Sequence, residues 1–319
     1  ANSGAEAVEA GLKTAVIATG KPRVPAFHRS YHGLTYRALS VSGREDFRAP
    51  FAAQLGSGAV FVPYPYPYRS PFGRDPEEVC AATLRLIEHT LDVPGSASEG
   101  IGAILVEPIQ ARGGDVVPPA GFLPGLRRIC DERGLLLMLD EIYTGFGRTG
   151  RWFACEHDGV APDVMMVGKG LTGGFPFAAC IGTDAVMERW PRSGGEAIHT
   201  STFLGHPVGC AAALASMAAL REERLVERSA DLGARILARL AETTADHPRV
   251  GEVRGRGMMI GVEMVRDRRT REPAPELVGR IMREALRRGV LVLGGGIYGS
   301  VLSLSPPFVL TVEQADAAL

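Results

Sequence analysis

Two residues with complementary chemistry follow two apolar runs of this sequence. Asp140 follows the run 135–139, and Lys169 follows the run 164–167 after a single glycine. If both runs are parallel strands, their carboxyl ends meet at one edge of a sheet, which is where ligands bind in such sheets. A partly desolvated lysine there has a lowered pKa, which suits an amine that attacks a carbonyl group. Lysine is also rare here, with three among 35 basic residues, so its use at this position indicates a specific role.

A cofactor that needs both groups is pyridoxal phosphate. Its aldehyde condenses with a lysine, and its protonated ring nitrogen needs a carboxylate beside it. The segment NSGAEAVEA (2–10) predicts a site for its phosphate, because a small-residue loop begins a helix whose amides and dipole favour anions. Plainer interpretations also fit: Asp140 and Lys169 as an ion pair, or the lysine facing water. Ser3 and Glu6 likewise fit the capping box of an ordinary helix.

Short apolar runs alternate with helical stretches over most of the chain. The runs lie at 24–27, 59–62, 101–106, 135–139 and 164–167, and helices are predicted at 5–19, 75–91 and 123–133. This pattern predicts an α/β domain with a mostly parallel sheet flanked by helices, in which the proline-rich stretch 62–76 is a rigid connection. A long helical pattern runs from 207 to about 246, and α+β patterning follows it. We therefore predict a large domain over 1–247 and a smaller α+β domain over 248–319.

The composition argues against several classes of function. The chain has 319 residues and a formal net charge of −1, so neither nucleic acid nor a membrane surface is an expected partner. The apolar runs are too short to span a bilayer. The five cysteines are too widely spaced for paired metal ligands, which predicts buried thiols in the reducing cytoplasm and no metal site.

Several motifs resemble, in order, the class III aminotransferases of the ornithine, acetylornithine and 4-aminobutyrate type, which are pyridoxal-phosphate enzymes of fold type I. The matching segments are 2–10, 30–43, 106–114, 139–174, 199–213, 255–263 and 295–311. The stretch 139–174 is the most specific, because it keeps the family's spacing between aspartate and lysine. The resemblance implies a homodimer that moves an amino group from an amine or (ω-)amino acid to a 2-oxo acid. It implies a ping-pong mechanism through an aldimine on Lys169.

Carried over residue by residue, the resemblance implies a complete cofactor site. Lys169 forms the internal aldimine and moves a proton, while Asp140 holds the proton of the pyridinium ring. Tyr31 stacks on one face of the ring and Ile142 presses on the other. Thr202 reaches the phosphate of the neighbouring subunit. The expected cofactor-binding set is Ser3, Gly4, Ala5, Tyr31, His32, Glu107, Asp140, Ile142, Tyr143, Lys169 and Thr202.

Departures from the family pattern bear on the substrate. Ser303 stands where the family often has the arginine that clamps a substrate carboxylate, and Arg112 stands where some relatives have an acidic residue. Tyr143 replaces a common glutamine beside the ring hydroxyl of the cofactor. We expect either that the carboxylate anchor has moved to Arg112 or that one substrate lacks an α-carboxylate. Family members also carry a segment before the phosphate loop, so we expect this chain to be truncated at its start, and at its end as well.

Two competing functions stay open on the sequence alone. Residues 145–150, GFGRTG, fit the GxGxxG pattern after a strand, which favours dinucleotide binding if a helix begins there. The fold of the resembling family also supports aminomutases, racemases and decarboxylases, because all of them begin with the same bond between lysine and cofactor.

Overall fold

The computed structural model describes residues 1–93 and 99–319. Its α-helices are α1 (Gly4–Thr19), α2 (Tyr36–Val41), α3 (Glu45–Arg48), α4 (Pro76–Asp92), α5 (Phe122–Arg133), α6 (Asp184–Met187), α7 (Pro207–Glu222), α8 (Leu225–Thr244), α9 (Pro275–Arg287) and α10 (Val312–Ala318). Its strands are β1 (Val24–Phe27), β2 (Ala59–Val62), β3 (Ala103–Val106), β4 (Leu136–Asp140), β5 (Val164–Val167), β6 (Ala179–Gly182), β7 (Val250–Arg256), β8 (Met259–Asp267), β9 (Glu272–Pro273), β10 (Leu293–Gly295) and β11 (Val301–Leu304). Short 3-10 helices lie at Ala49–Gln54, Pro67–Arg69, Ala154–Asp158 and Lys169–Leu171.

A four-stranded sheet positions Asp140 and Lys169. Its order is β3-β4-β5-β6, in which β3, β4 and β5 are parallel and β6 runs antiparallel to β5. Strands β1 and β2 form a separate parallel pair. Asp140 is the last residue of β4, and Lys169 lies two residues beyond the end of β5. The predicted, mostly parallel sheet is confirmed, and it brings both residues to its carboxyl edge.

Helices cover both faces of this sheet. On one face α1 lies close to the strands, because Gly11 has no side chain where a Cβ would be 2.8 Å from Met166 Sδ. On the other face α5 buries Ile129 in the same core as Leu139 of β4. The sheet is thus enclosed, which explains why its strands are apolar on both sides.

The long helical pattern predicted from 207 to 246 is in fact two helices. Helix α7 ends at Glu222 and α8 begins at Leu225. Between them Arg224 has a φ of 52°, which a right-handed helix cannot contain. Periodicity missed the break because arginine and glutamate favour helices wherever they stand.

The C-terminal part is built on an antiparallel sheet of order β10-β11-β8-β7, with β9 paired to β8. Val278 of α9 packs in one cluster with Val262 and Leu302 of this sheet. The α+β pattern predicted for this part is therefore confirmed. Within residues 1–93 and 99–319, no helix combines the length and apolar character needed to cross a membrane.

The proline-rich stretch 62–76 joins the two parts of the structure. Its tyrosines Tyr64 and Tyr66 are buried. The hydroxyl of Tyr66 donates to Glu263 of β8 at 3.0 Å, and Arg69 pairs with the same carboxylate at 2.6 Å. The stretch is thus held against the C-terminal sheet, which agrees with its prediction as a rigid connection.

Candidate active site

The carboxylate of Asp140 is buried and held by two donors. His32 Nδ1 lies 2.7 Å from Asp140 Oδ2, and the backbone N–H of Ile142 donates to Oδ1 at 3.1 Å. Burial lowers the pKa of His32, but its hydrogen bond to Asp140 and the charge of that carboxylate outweigh burial and raise the pKa above its usual value. The contact with Asp140 therefore favours the protonated form of His32.

The environment of Lys169 favours the neutral amine. Burial lowers the pKa of its amino group, and the charge of Arg112 lowers it further. The carboxylates of Asp140 and Glu107 oppose this shift without reversing it. The backbone of Lys169 has a φ of 40°. Such left-handed strain at a non-glycine residue is typical of functional positions.

The two residues at the sheet edge do not form a simple ion pair. Both hydrogen bonds of the Asp140 carboxylate go to other groups, His32 and the Ile142 amide. The Lys169 Nζ lies instead 4.7 Å from the centre of the Tyr143 ring. Lys169 is exposed in the single chain, so the plainer interpretation of a lysine that faces water still stands, although desolvation lowers its pKa.

The start of α1 is capped as the sequence predicts, with one difference. Ser3 Oγ accepts from the Glu6 N–H at 3.3 Å. The Glu6 carboxylate accepts from the N–H of Asn2 at 2.6 Å, one residue earlier than a capping box places it. The first-turn amides of Gly4 and Ala5 have no carbonyl one turn back within the helix, and they lie at the positive end of its dipole. This end of α1 can hold an anion.

Two glycines bring the other elements against this helix end. A Cβ on Gly4 would lie 2.9 Å from Ile142 Cδ1, so the absent side chain lets α1 approach the loop after β4. Gly33 has a φ of 127°, and its Cβ would lie 2.6 Å from Ala5 Cβ. The helix start, the loop 30–33 and the loop after Asp140 therefore meet at one place.

Glu107 ties the loop after β3 to the loop that carries Tyr31. It accepts from the N–H of Tyr31 at 2.9 Å and from the N–H of Ala111 at 3.3 Å. Burial raises the pKa of Glu107 to about 7, although the charge of His32 lowers it. The exposed Arg112 has its guanidinium carbon 4.7 Å from the centre of the Tyr31 ring. The site thus has a cation above the ring expected to stack on the cofactor.

Sequence reasoning missed two residues near the site, Ser305 of the C-terminal part and Asp115 of the loop after β3. Ser305 Oγ lies 2.6 Å from the Tyr143 hydroxyl. Asp115 is buried beside Ser303, and burial raises its pKa to about 7, although Ser303 and Arg254 lower it. The alternation in VLSLS could have placed 303 and 305 on one face, since strand side chains alternate. Nothing in the sequence placed Asp115 beside them.

Thr202 lies in an exposed loop. Its neighbour Ser201 accepts a hydrogen bond at 3.0 Å from the Asn2 side chain, next to the start of α1. The loop that carries Thr202 is therefore close to the start of α1 in the same chain. Its expected contact with a neighbouring subunit stays a prediction.

Comparison with known proteins identifies the family. The family model described as Aminotransferase class-III matches residues 1–319. The chain belongs to the class III aminotransferases. This class III aminotransferase is therefore an enzyme that depends on pyridoxal 5′-phosphate and transfers an amino group between an amine and a 2-oxo acid.

Similar proteins cover nearly the whole of this aminotransferase. The acetylornithine aminotransferase of Methanosarcina acetivorans is 42% identical over 318 residues, which are 100% of this chain and 70% of that protein. The leucine/methionine racemase of Thermococcus litoralis is 36% identical, covering 99% of this chain and 70% of that one. A crystal structure of an amine transaminase from an uncultivated Pseudomonas species, in its PLP-bound form, matches with a TM-score of 0.92 and 36% identity over 100% of this chain and 73% of that chain. These likenesses confirm fold type I.

The residues present at the sheet edge fit this cofactor. A lysine with a lowered pKa suits a bond to an aldehyde, and a buried carboxylate fixed by two donors suits a protonated ring nitrogen. The start of α1 supplies amides for a phosphate, at a point where a Cβ on Gly4 would collide with Ile142.

The dinucleotide interpretation of GFGRTG is wrong. Residues 145–150 form consecutive turns, and the next regular element is the short 3-10 helix Ala154–Asp158. No helix begins at these glycines, so the amides and dipole that bind a pyrophosphate are not provided there.

Proposed function

We propose that Lys169 and Asp140 are the catalytic residues of this aminotransferase, with Lys169 binding the cofactor covalently. The observation that carries this is the carboxyl edge of the sheet, where Lys169 has a lowered pKa while the buried Asp140 is held by His32. When bound, the cofactor supplies a positively charged ring that withdraws electrons from the substrate carbon. Asp140 would hold the proton of the ring nitrogen, and His32 orients the Asp140 carboxylate.

Lys169 also moves the proton of the reaction in this proposal. A neutral amine accepts a proton from the substrate carbon, and the ammonium it becomes donates that proton in the next step. Desolvation lowers the pKa of Lys169, which favours the neutral amine that accepts this proton. The nearby carboxylates of Asp140 and Glu107 stabilise the protonated form, so neither form is fixed.

The remaining contacts of the proposal hold the cofactor in place. The backbone amides at the start of α1 bind its phosphate, and Tyr31 and Ile142 enclose its ring. Tyr143 lies near the ring hydroxyl, while Glu107 orients Tyr31 through its backbone. The proposed cofactor-binding residues are Ser3, Gly4, Ala5, Tyr31, His32, Glu107, Asp140, Ile142, Tyr143, Lys169 and Thr202.

Arg112 is the proposed anchor for a substrate carboxylate. Its exposed guanidinium lies over Tyr31, and its charge acts on Lys169. Ser303 cannot form the bidentate clamp that an arginine provides. A donor without an α-carboxylate, such as an ω-amino acid, a diamine or another primary amine, fits this arrangement best.

We also propose a homodimer in which Thr202 contacts the cofactor phosphate of the neighbouring subunit. Large apolar side chains near Thr202 are exposed in the single chain, including Ile198 at 65%, Phe203 at 61% and Val208 at 55%. A partner subunit would cover them. Sedimentation should show a dimer for the wild type and dissociation for Phe203→Asp, whereas a monomeric wild type would contradict this part.

We also propose that the chain divides into a large domain over 1–247 and a small domain over 248–319. We further propose a cytoplasmic location. The support for the location is that Cys80, Cys130, Cys155, Cys180 and Cys210 are all free thiols. Limited proteolysis near residue 247 tests the division, since two domains should survive as separate fragments.

Racemisation is the second candidate, because a racemase is among the relatives at 36% identity. The two activities differ in the fate of the amino group. Incubation with a 15N-labelled donor and a 2-oxo acid should place the label on the acid if the enzyme transfers amino groups. Inversion of a chiral amino acid with its label retained would favour racemisation.

One experiment tests the role of Lys169 directly. The cofactor-loaded protein should be yellow, lose its visible band with borohydride, and then carry the cofactor mass on the peptide that contains Lys169. Lys169→Ala should abolish the tag and the transfer, while the exposed Lys21→Ala should change neither. A tag on Lys13 or Lys21 would overturn the assignment.

A further inference from the structure

The end of β4 and the loop that follows it contact three distant parts of the chain. Asp140 bonds His32, Ile142 packs on Gly4, and the Tyr143 hydroxyl lies 2.6 Å from Ser305 Oγ. Tyr143 and Ser305 are 162 positions apart. The last of these contacts joins the loop to the segment that follows β11.

Arg148, also in the loop after β4, makes a second contact with the segment that follows β11. Arg148 donates to the carbonyl of Pro306 at 2.7 Å, and its guanidinium carbon lies 4.4 Å from the centre of the Phe308 ring. Arg148 thereby fixes the backbone next to Ser305. The Ser305 hydroxyl is therefore a fixed point, and the hydrogen bond to it fixes the Tyr143 ring.

The face of that ring is turned to the reactive amine. Lys169 Nζ lies 4.7 Å from its centre, within the range of a cation–π interaction. Such an interaction stabilises the ammonium form and not the neutral amine. The position of the ring therefore influences how readily Lys169 holds a proton.

We propose that Tyr143 is a positioning residue, whose ring is fixed by Ser305 and in turn holds the amino group of Lys169 and stabilises its protonated form. The Tyr143–Ser305 hydrogen bond thus couples the C-terminal part of the chain to the proton affinity of the lysine. This rests on the proposed role of Lys169 in binding the cofactor.

Competitive labelling with acetic anhydride tests the coupling in the full chain after its cofactor is removed. Peptide mass spectrometry separates Lys169 from Lys13 and Lys21, so the other two lysines are internal controls. Tyr143→Phe and Ser305→Ala keep an aromatic ring but remove the hydrogen bond that fixes it. In both, the pH midpoint of Lys169 acetylation should fall by up to about half a pH unit, the size expected when a cation–π contact is weakened. Ser305→Thr keeps a hydroxyl and should keep the wild-type midpoint.

The double variant decides whether one hydrogen bond is responsible. Tyr143→Phe and Ser305→Ala together should shift the midpoint no further than either alone, because both remove the same bond. Unchanged midpoints in both single variants, or shifts that add in the double variant, would overturn the proposal.

A second measurement uses the cofactor-loaded protein. Its visible absorption should titrate at a lower pH in both single variants than in the wild type. Loss of the borohydride tag from Lys169 would reject the proposed function and leave the acetylation result standing. A tag on Lys169 with unmoved titrations would reject only the role of Tyr143.

Discussion

His32 Nδ1 and Asp140 Oδ2 lie 2.7 Å apart between two buried side chains, although the residues are 108 positions apart in sequence. The contact joins the loop after β1 to the end of β4. It makes His32 a residue that orients the carboxylate of Asp140, which we propose faces the cofactor.

His32→Gln should weaken cofactor binding by about 10- to 100-fold, the usual cost of removing a hydrogen bond to a charged group. Fluorescence titration with pyridoxal phosphate measures this. The folded pKa of His32 is raised above 6.5, so the pair's contribution to stability is complete below that pH and is lost as pH rises through the folded pKa. The stability difference between wild type and variant should therefore narrow in alkaline buffer, and a gap that widens there would contradict the pairing.

Arg112→Ala should lower kcat/KM for the 2-oxo acid at least about tenfold, which corresponds to roughly 1.4 kcal/mol of lost transition-state binding. The physical reason is the loss of the exposed cation beside Lys169. The kcat/KM for an amine donor without a carboxylate is the control and should change little. If kcat/KM for every 2-oxo acid tested stays at the wild-type value, Arg112 is not the anchor.

Gly4→Ala should destabilise the protein and weaken cofactor binding, because the new Cβ would lie 2.9 Å from Ile142 Cδ1. Overpacking of this kind costs about 1–3 kcal/mol. Ile142→Val removes that carbon and should restore part of the loss in the double variant. Urea denaturation and cofactor titration measure the two effects. Independent, additive changes in the two variants would show that the contact is not tight.

Asp115→Asn should stabilise the protein at pH 8 more than at pH 4. Burial raises the pKa of Asp115 from 3.8 to about 7, so the folded state binds more protons than the unfolded state between these values. Wild-type stability therefore falls as pH rises through that window, by up to about 4 kcal/mol. Asparagine also tolerates the φ of 52° at this position. If the stability of the two proteins changes with pH in parallel, the pKa of the buried Asp115 carboxyl is not raised.

Much of the fold was predictable because local pattern determines it. The strands at 24–27, 59–62 and 164–167 were predicted with the bounds that the structure has. Helix α1 was predicted within one residue, since Ser3 and Gly20 mark its ends. The break at Arg224 was not predictable, because its left-handed backbone depends on how α7 and α8 pack rather than on residue type.

The sequence alone placed Asp140 and Lys169 at the same edge of one sheet, since each follows an apolar strand. The rarity of lysine in this chain singled out Lys169. Only the tertiary structure decided which groups act on them. His32 holds Asp140, Ser305 fixes Tyr143, and Arg112 lies over Tyr31. These contacts join segments far apart in the chain, and they form only when the sheet, the helix start and the C-terminal part pack together. Local periodicity carries no information about that packing.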